Sequence, residues 1–415
     1  MKIVLYSANF APEPTGIGKY SGDMARWLVS QGHEVRVICA PPYYPAWRLA
    51  DGYGGPVWRR EQWEGVDVWR APLWVPANPG GVKRVLHLLS FAFTSLPVAL
   101  WQAVWRPDVV VCVAPALVNA PAANLLARLC GARAWLHIQD FEVDVAFNMG
   151  LLKGQGPRRI VTWLEQRLLR RFDVVSSISE RMLDSLRSKG VAPERIRAFP
   201  NWVDIGHIQV LQRPSTYRAE LGLNEDTKVV LFSGTLGGKQ GLSVIPAVAR
   251  LLAHRDDILF VIGGDGVMKP QLEAEAAGLD NVRFLPLQPF ERLGDWLGLA
   301  DIHLLPQSPE AEDLVLPSKL AGMLASGRPV IATCRQGTEL ARVVSHCGAV
   351  VPPENAPALA QAVLNLADDA DTRKRLGAQG RRHAEDHLGR EGVLRRFEQD
   401  CADLLPTEAV TRVRQ

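Results

Sequence analysis

The feature that most constrains this chain is the recurrence of short, predominantly apolar segments, separated by stretches of helical periodicity. In the first half they fall at Lys2 to Tyr6, Glu34 to Cys39, Val66 to Arg70, Asp108 to Val113, Arg133 to Ile138, Asp173 to Ser177 and Ile196 to Phe199. A strand with one solvated face alternates apolar and polar residues. These runs do not alternate, so both faces of their sheet must be covered. Helical patterns at 19–31, 82–105, 117–129, 158–171 and 180–189 supply the cover. The alternation predicts a doubly wound, parallel α/β domain.

A polar, proline-bearing stretch from Gln209 to Ser215 interrupts the pattern, which restarts at Lys228 to Ser233 and continues through Ile258 to Gly263, Val282 to Leu285, Asp301 to Leu305, Pro329 to Thr333 and Ala349 to Val351. The expected fold class is therefore α/β, with two doubly wound Rossmann-like domains at residues 1–205 and 206–385 facing a central cleft. A charged helical segment at 386–415 follows. Open parallel sheets bind ligands beyond the carboxyl ends of their strands, so functional residues are sought in the strand-to-helix loops.

Composition removes several classes of function. Hydrophobic residues at 47% and charged residues at 22% are those of a folded globular chain, not a disordered one. With 47 Lys+Arg against 44 Asp+Glu the net charge is only +3, so a grip on a nucleic-acid backbone is not expected. The six cysteines, at 39, 112, 130, 334, 347 and 401, form no C-x-x-C pair, and several sit in apolar runs. A reducing, cytoplasmic setting without a structural metal is the expectation. The first residues read as a strand, since their apolar run is too short for the core of a signal peptide.

Five loops carry candidate chemistry. The first, Ser7 to Tyr20, contains Gly16 and Gly18, where backbone can approach a ligand ahead of a helix start. It is not a dinucleotide fingerprint: the third glycine, Gly22, comes one position late, and the second strand ends without an acid for a ribose. The second, Ser233-Gly234-Thr235-Leu-Gly-Gly-Lys239-Gln240, puts glycines and a lysine after a strand, as a diphosphate site would. Three residues between its glycines and Gln240 after the lysine exclude a Walker A loop. The third, Gly263-Gly264-Asp265-Gly266, is either part of such a site or a tight turn whose Asp265 caps the next helix. In the fourth, Pro317-Ser318-Lys319 opens a helix where a hydroxyl and an ammonium can meet an anion, or where Ser318 is only a cap. The fifth runs from His137 through Asp140, Glu142 and Asp144. Here Asp140, at the strand end, is the catalytic candidate, and His137, deeper in the strand, reads as a core histidine. The Asp369-Ala-Asp371 pair lies where acids favour a helix start, so no metal is required.

In order, these loops resemble those of retaining GT-B glycosyltransferases of family 4, and the likeness spans nearly the whole chain. The segments Phe10 to Tyr20, Ile138-Gln139-Asp140, Pro200-Asn201-Trp202-Val203-Asp204, Ser233 to Leu242, Leu316 to Leu320 and Ala325 to Val330 are particularly similar to the WcaI subfamily of colanic acid biosynthesis. The resemblance implies transfer of a sugar, fucose from a GDP-linked donor or else a UDP-sugar, to a lipid-linked exopolysaccharide repeat unit. It implies retention of configuration and no metal or cofactor beyond the nucleotide-sugar substrate. Donor binding would fall to Ser233, Gly234, Thr235, Lys239, Gly264, Ser318 and Lys319, the acceptor side to Gly16 and Gly18, and catalysis to Asp140 and Lys239. Where family members place an arginine this chain has Thr235. Their glutamate pair falls at Leu314 and Gly322, and their His-Asp pair reads Gln139-Asp140. A 2-epimerase of the same architecture and a non-catalytic nucleotide-sugar-binding partner of a polysaccharide complex are the alternatives.

Residues 82–105 are long and apolar, flanked by Lys83, Arg84 and Arg106, but Pro97 and several polar residues interrupt them. An interfacial segment on the inner leaflet and a core-packed helix both fit this stretch. With Arg158, Arg159, Arg167, Arg170 and Arg171 it would give the first domain a basic, Trp-bearing face.

Overall fold

A computed structural model of the chain describes residues 1–77, 80–115, 117–141, 155–309 and 316–406, apart from the side chains of 155–158 and 239. Two compact units result: Met1–Pro200 with Leu394–Gln415, and Asn201–Val393.

The first unit is built on a sheet ordered β3-β4-β2-β1-β5-β6-β7-β8. Its strands are β1 (Lys2–Ser7), β2 (Glu34–Cys39), β3 (Arg59–Trp63), β4 (Val66–Arg70), β5 (Val109–Ala114), β6 (Arg133–Ile138), β7 (Val174–Ser177) and β8 (Ile196–Ala198). All pairs are parallel except β3 with β4. The helices are α1 (Gly16–Ser30), α2 (Gly81–Trp101), α3 (Ala120–Cys130), α4 (Gln155–Leu169) and α5 (Glu180–Ser188). On one side of the sheet, Phe91, Val98 and Ala99 of α2, Ala123 and Leu126 of α3, and Leu169 of α4 pack in one core with Tyr6, Val110 and Leu136 of the strands. The periodicity-based expectation for 82–105 is met by α2, whose Phe91 and Ser95 are fully buried.

The strand β3 lies outside the sequence expectation because it is a polar edge strand, Arg59-Arg-Glu-Gln-Trp63, with no apolar run. It returns to β4 through Glu64 (φ +45°) and Gly65 (φ +83°), a two-residue turn with left-handed backbone that suits the twist of a hairpin.

The second unit has a sheet ordered β11-β10-β9-β12-β13-β14, parallel throughout. Its strands are β9 (Lys228–Ser233), β10 (Ile258–Gly263), β11 (Val282–Leu285), β12 (Ile302–Pro306), β13 (Val330–Thr333) and β14 (Gly348–Val351). Its helices are α6 (Thr216–Glu220), α7 (Val244–Leu251), α8 (Lys269–Glu275), α9 (Leu293–Gly298), α10 (Lys319–Ala325), α11 (Glu339–Val344), α12 (Ala356–Asp368) and α13 (Ala370–His383). The stretch Asn201 to Asp204 has a structural task here. Val203 donates to the Leu388 carbonyl (2.8 Å) and accepts from the Arg390 amide (3.0 Å), and Arg390 pairs with Asp204 at 3.0 Å.

The division after Pro200 and the fate of the last helix, α14 (Arg390–Asp403), differ from the boundaries expected at 205 and 386. The described part of the segment expected at 386–415, residues 386–406, does not stand alone. From Leu394 onward α14 belongs to the first unit, where Phe397 stacks on Phe199 (4.8 Å), meets Trp135 edge-on (4.8 Å), and Glu398 takes a 2.7 Å contact from His33. Its charged residues suggested a surface helix, but Phe397 and Cys401 make one face apolar and buried.

One buried cation organises the carboxyl edge of the first sheet. Arg70, at the end of β4 and 1% exposed, donates Nε to Glu61 (2.6 Å) and its two other nitrogens to the carbonyls of Ala40 (3.0 Å) and Ala11 (2.8 Å). It thereby fixes the loop after β1 and the loop after β2 together. Arg70→Met strands the Glu61 carboxylate and two carbonyls, and is expected to cost about 3–5 kcal/mol. Thermal unfolding should show this as a clear fall in the first unit's midpoint.

Candidate active site

In the second unit the strand order reverses between β9 and β12, so the loops after these two strands flank the crevice where open sheets bind ligands. Both contain predicted site residues. Ser233 closes β9, and its Oγ accepts a 2.8 Å hydrogen bond from Nε1 of Trp296 on α9. Gly234 follows with φ +141°, a conformation that side chains disfavour. A Cβ there would also lie 2.9 Å from Nζ of Lys319, which opens α10 after the β12 loop. The glycine is the seat of the lysine head.

That head is electrostatically exceptional. The Lys319 ammonium is shielded from solvent and has no hydrogen-bond partner among the described residues. It lies 4.4 Å from the centre of the Phe232 ring, which offsets part of the lost hydration. Burial lowers its pKa to about 8, so the group stays mainly protonated near neutral pH. Among the described residues this buried charge has no counter-ion, an arrangement that favours an anionic partner.

The third loop interlocks with the second. Gly234 donates to the Gly263 carbonyl (2.9 Å), Leu236 to Asp265 (2.8 Å) and Met268 back to Leu236 (3.0 Å). A Cβ on Gly264 would lie 2.0 Å from the Gly234 carbonyl oxygen, and one on Gly263 would lie 2.3 Å from the Trp296 ring. The glycines here serve contact between two backbones and an indole. Asp265 does not cap α8, as its sequence position suggested; its carboxylate accepts from the next amide, and the cap position is Met268.

Thr235 is exposed beside Gly234. Lys239 lies on a short 3-10 turn, Gly238–Gln240, and its side chain falls outside the described residues, as do Glu142, Asp144 and Leu314 entirely. Ser318 precedes α10 with its side chain exposed and makes no capping hydrogen bond. Ser233, Gly234, Gly264 and Lys319 are thus brought together, with Thr235 adjoining.

In the first unit, Gly16 begins α1 with φ +61°. At Gly18 the space a side chain would need is filled from within, since a Cβ would lie 2.5 Å from the Glu13 carboxylate. Glu13, 4% exposed, accepts from the amides of Tyr43 (3.1 Å) and Tyr44 (3.0 Å) and from Asn9 (2.9 Å). Burial raises its pKa, and those hydrogen bonds hold the rise down. Tyr43 continues the network to His87, whose Nε2 is 3.2 Å from the phenol oxygen and whose Nδ1 is 2.7 Å from the Trp74 carbonyl. Asp140 is half-buried just beyond β6, two strands from β1. His137 is a core residue: its Nδ1 lies 3.0 Å from Ser176, its ring packs on Phe199, and burial lowers its pKa to about 3.

The residues that sequence reasoning missed are Trp296, Glu13 and Arg70. Trp296 sits on a six-residue helix too short to show periodicity, and Glu13 and Arg70 look like surface charges until the loops close over them.

Comparison with known proteins decides the family. Residues 15–202 match the model of the "Glycosyl transferase 4-like domain", and residues 227–369 match that of "Glycosyl transferases group 1". WcaI of Escherichia coli (strain K12), named for colanic acid biosynthesis as a glycosyl transferase, is 42% identical over 96% of this chain and 99% of its own. The chain belongs to the family 4 glycosyltransferases. Its fold is GT-B: the sucrose-phosphate synthase of Thermosynechococcus elongatus superposes with a TM-score of 0.73 at 17% identity, covering 97% of this chain and 99% of that one. Anabaena HepE, solved with UDP and glucose, superposes at 0.66 and 14% identity over 97% and 100%. Within this glycosyltransferase Gly322, where the resemblance implies the second glutamate of the pair, faces Leu297 and Ile208 at 3.3 and 3.7 Å from a would-be Cβ. A carboxylate would meet apolar neighbours there.

The interlock gives a direct test. Gly264→Ala is expected to destabilise the second unit by about 3 kcal/mol through overlap and an unfavourable φ. Calorimetry should show a lowered unfolding midpoint; an unchanged one would mean the paired loops have slack.

Proposed function

We propose that this glycosyltransferase moves a sugar from a nucleotide sugar to a lipid-linked exopolysaccharide repeat unit with retention of configuration. The specific reading is fucose from a GDP-linked donor, with a UDP-sugar as the alternative. The observation that carries it is the buried Lys319 ammonium beside Gly234, which has no hydrogen-bond partner among the described residues and to which a diphosphate would bring counter-charge. The name of the Escherichia coli relative supports colanic acid as the class of product.

In this reading the donor diphosphate lies against Ser233, Gly234, Thr235 and Gly264, with Lys239, Ser318 and Lys319 balancing its charge. The acceptor belongs to the loop of Gly16 and Gly18 and to Asp140. The bond from the anomeric carbon to the diphosphate oxygen breaks while the bond to the acceptor oxygen forms on the same face. The acceptor's proton passes to the departing phosphate oxygen. The protein then supplies position and charge stabilisation, and no metal ligand is assigned. A lipid-linked acceptor places the enzyme in the cytoplasm at the inner face of the membrane. The apolar setting of Gly322 keeps a second reading, a non-catalytic binder of nucleotide sugar, which would release no nucleotide on incubation with donor and acceptor.

Two experiments test the main reading. Lys239→Ala should lower turnover of the true donor by about a hundredfold or more. Lys319→Met should do the same without loss of folding stability, because an uncompensated buried charge is removed; near-wild-type turnover in either variant would sink the assignment.

A third test is pH. Raising pH through about 8 deprotonates Lys319 in the free enzyme, so kcat/KM for the donor should fall on that side, and the limb should vanish in Lys319→Met. The sign for stability is opposite. Folded Lys319 binds fewer protons than unfolded lysine between about 8 and 10.5, so its contribution to stability rises with pH across that window.

A further inference from the structure

The helical layer over the first sheet has an unusual outer side. The inner stripe of α2, including His87, Phe91, Ser95 and Val98, is buried in the core. Its opposite stripe is equally apolar: Leu86, Leu89, Phe93, Leu96 and Leu100 recur at helical spacing and are exposed, Phe93 at 81%, with Trp101 beside them at 62%. A surface helix of a globular protein is polar on that side. The neighbouring helices share the feature, with Leu125 and Leu129 exposed on α3, and Ile160, Trp163 and Leu164 exposed on α4. Among the described residues α2 with its 3-10 extension, Gly81–Trp105, is the helix long and apolar enough to cross a membrane. Its inner stripe is committed to the core, so it lies along a surface instead.

Charge identifies what covers this face. From Ala71 to Gln139 there are five basic residues and one acid, Asp108, which is engaged by the Lys2 amide at 2.7 Å. The one acid of α4, Glu165, is buried against Lys189 at 2.6 Å. Where α3 and α4 end, an open cavity of about 460 Å³ is lined by Arg128, Arg133, Arg170, Arg171 and Arg195. A second, of about 400 Å³, shares Arg170 and Arg171 and adds Arg167 and Trp163. Arg133 is paired with Asp173 at 3.3 Å, and Arg195 donates to the carbonyls of Arg170 (3.1 Å) and Phe172 (3.5 Å). Arg128, Arg167, Arg170 and Arg171 have no carboxylate partner among the described residues. Arg167 lies over the Trp163 ring at 5.5 Å, joining the basic trough to the apolar face.

We propose that α2, α3 and α4 form a docking face for an anionic bilayer, with the apolar stripe in the headgroup–acyl boundary and the arginine trough taking lipid phosphates. This rests on the proposed function only in that a lipid-linked acceptor lies at such a surface. The face itself lies wholly within the first unit.

Co-sedimentation of the full chain with vesicles tests it. Vesicles of phosphatidylcholine with added phosphatidylglycerol should retain the protein at low salt and release it at high salt, while phosphatidylcholine alone retains far less. Phe93→Glu with Trp163→Glu should abolish retention. Arg128→Ala, Arg167→Ala and Arg171→Ala combined should weaken it about a hundredfold, at about fivefold per arginine, with unchanged unfolding midpoints. No retention of the wild type on the anionic vesicles overturns the proposal, as does retention that both variants keep. A wild-type dimer in sedimentation velocity that Phe93→Glu makes monomeric means the face covers a second copy, and also overturns it. Stabilisation of the wild type by inorganic phosphate, lost in the arginine variant and unaccompanied by vesicle binding, assigns the trough to free phosphate and overturns the lipid reading. Vesicle retention without sugar transfer would defeat the proposed function and leave this inference standing; transfer without retention would do the reverse.

Discussion

A parallel strand cannot be followed directly by its neighbour. The chain must first cross back over the sheet, and a helix does this while covering the face it crosses. Everything specific about this molecule follows from applying that constraint in two units. The strands are apolar on both faces because helices lie on both sides, and each strand releases the chain at the same edge. Where the order reverses, between β1 and β5 in one unit and between β9 and β12 in the other, adjacent loops leave toward opposite faces and open a crevice. The glycines, Glu13 and Lys319 are found there because the backbone has only there been freed from the ladder.

The two crevices are held open by different means. In the first unit the loops are fastened by charge, with Arg70 joining Ala11, Ala40 and Glu61, and Glu13 joining Tyr43, Tyr44 and Asn9. Each buried group is satisfied, which makes a rigid wall. In the second unit the fastening is backbone to backbone, Gly234 to Gly263 and Leu236 to Asp265, and the Lys319 ammonium beside Gly234 has no hydrogen-bond partner among the described residues. A site that binds an anion tightly must keep an uncompensated cation when empty, and such a cation costs stability unless rigid surroundings hold it. The interlocked glycines and the Trp296 indole are those surroundings.

How far this was legible in the sequence depends on what kind of signal each residue carries. Doubly buried strands announce themselves as apolar runs, so β1, β9, β10, β12 and β13 are readable; the edge strand β3 is not, because an exposed edge strand needs no apolar residue and its turn, Glu64-Gly65, is a weak signal outside its context. The lysine and glycines of the donor loops are readable as types but not as contacts. Gly264 looks like a ligand-facing residue, and only the structure shows that it clears the Gly234 carbonyl. Arg70 and Glu13 are the reverse case. Charged residues are read as solvated by default, and their burial follows from long-range closure of loops that no local window contains. The last helix hides its place for the same reason, since the partners of Phe397 and Glu398 lie at Trp135, Phe199 and His33.

The arginines of the first unit need a finer argument, because a cation at a helix C-terminus is favoured by the helix dipole whatever else it does. Arg128 and Arg167 sit in the last turns of α3 and α4, so their presence alone says little about a ligand. What the dipole does not explain is the outer stripe of α2, which has no acidic residue in its first turn or basic residue in its last, and yet exposes Phe93 and Trp101. Exposed apolar area of this kind has an unfavourable hydration free energy that selection for a monomer in water would remove. Since α2, α3 and α4 all run opposite to the strands, the C-terminal arginines of α3 and α4 lie at the amino edge of the sheet, while the loops that bind the acceptor in our reading lie at its carboxyl edge. One helical layer therefore spans both ends, and a surface lying along it reaches from the phosphate-binding trough to the rim of the acceptor loops.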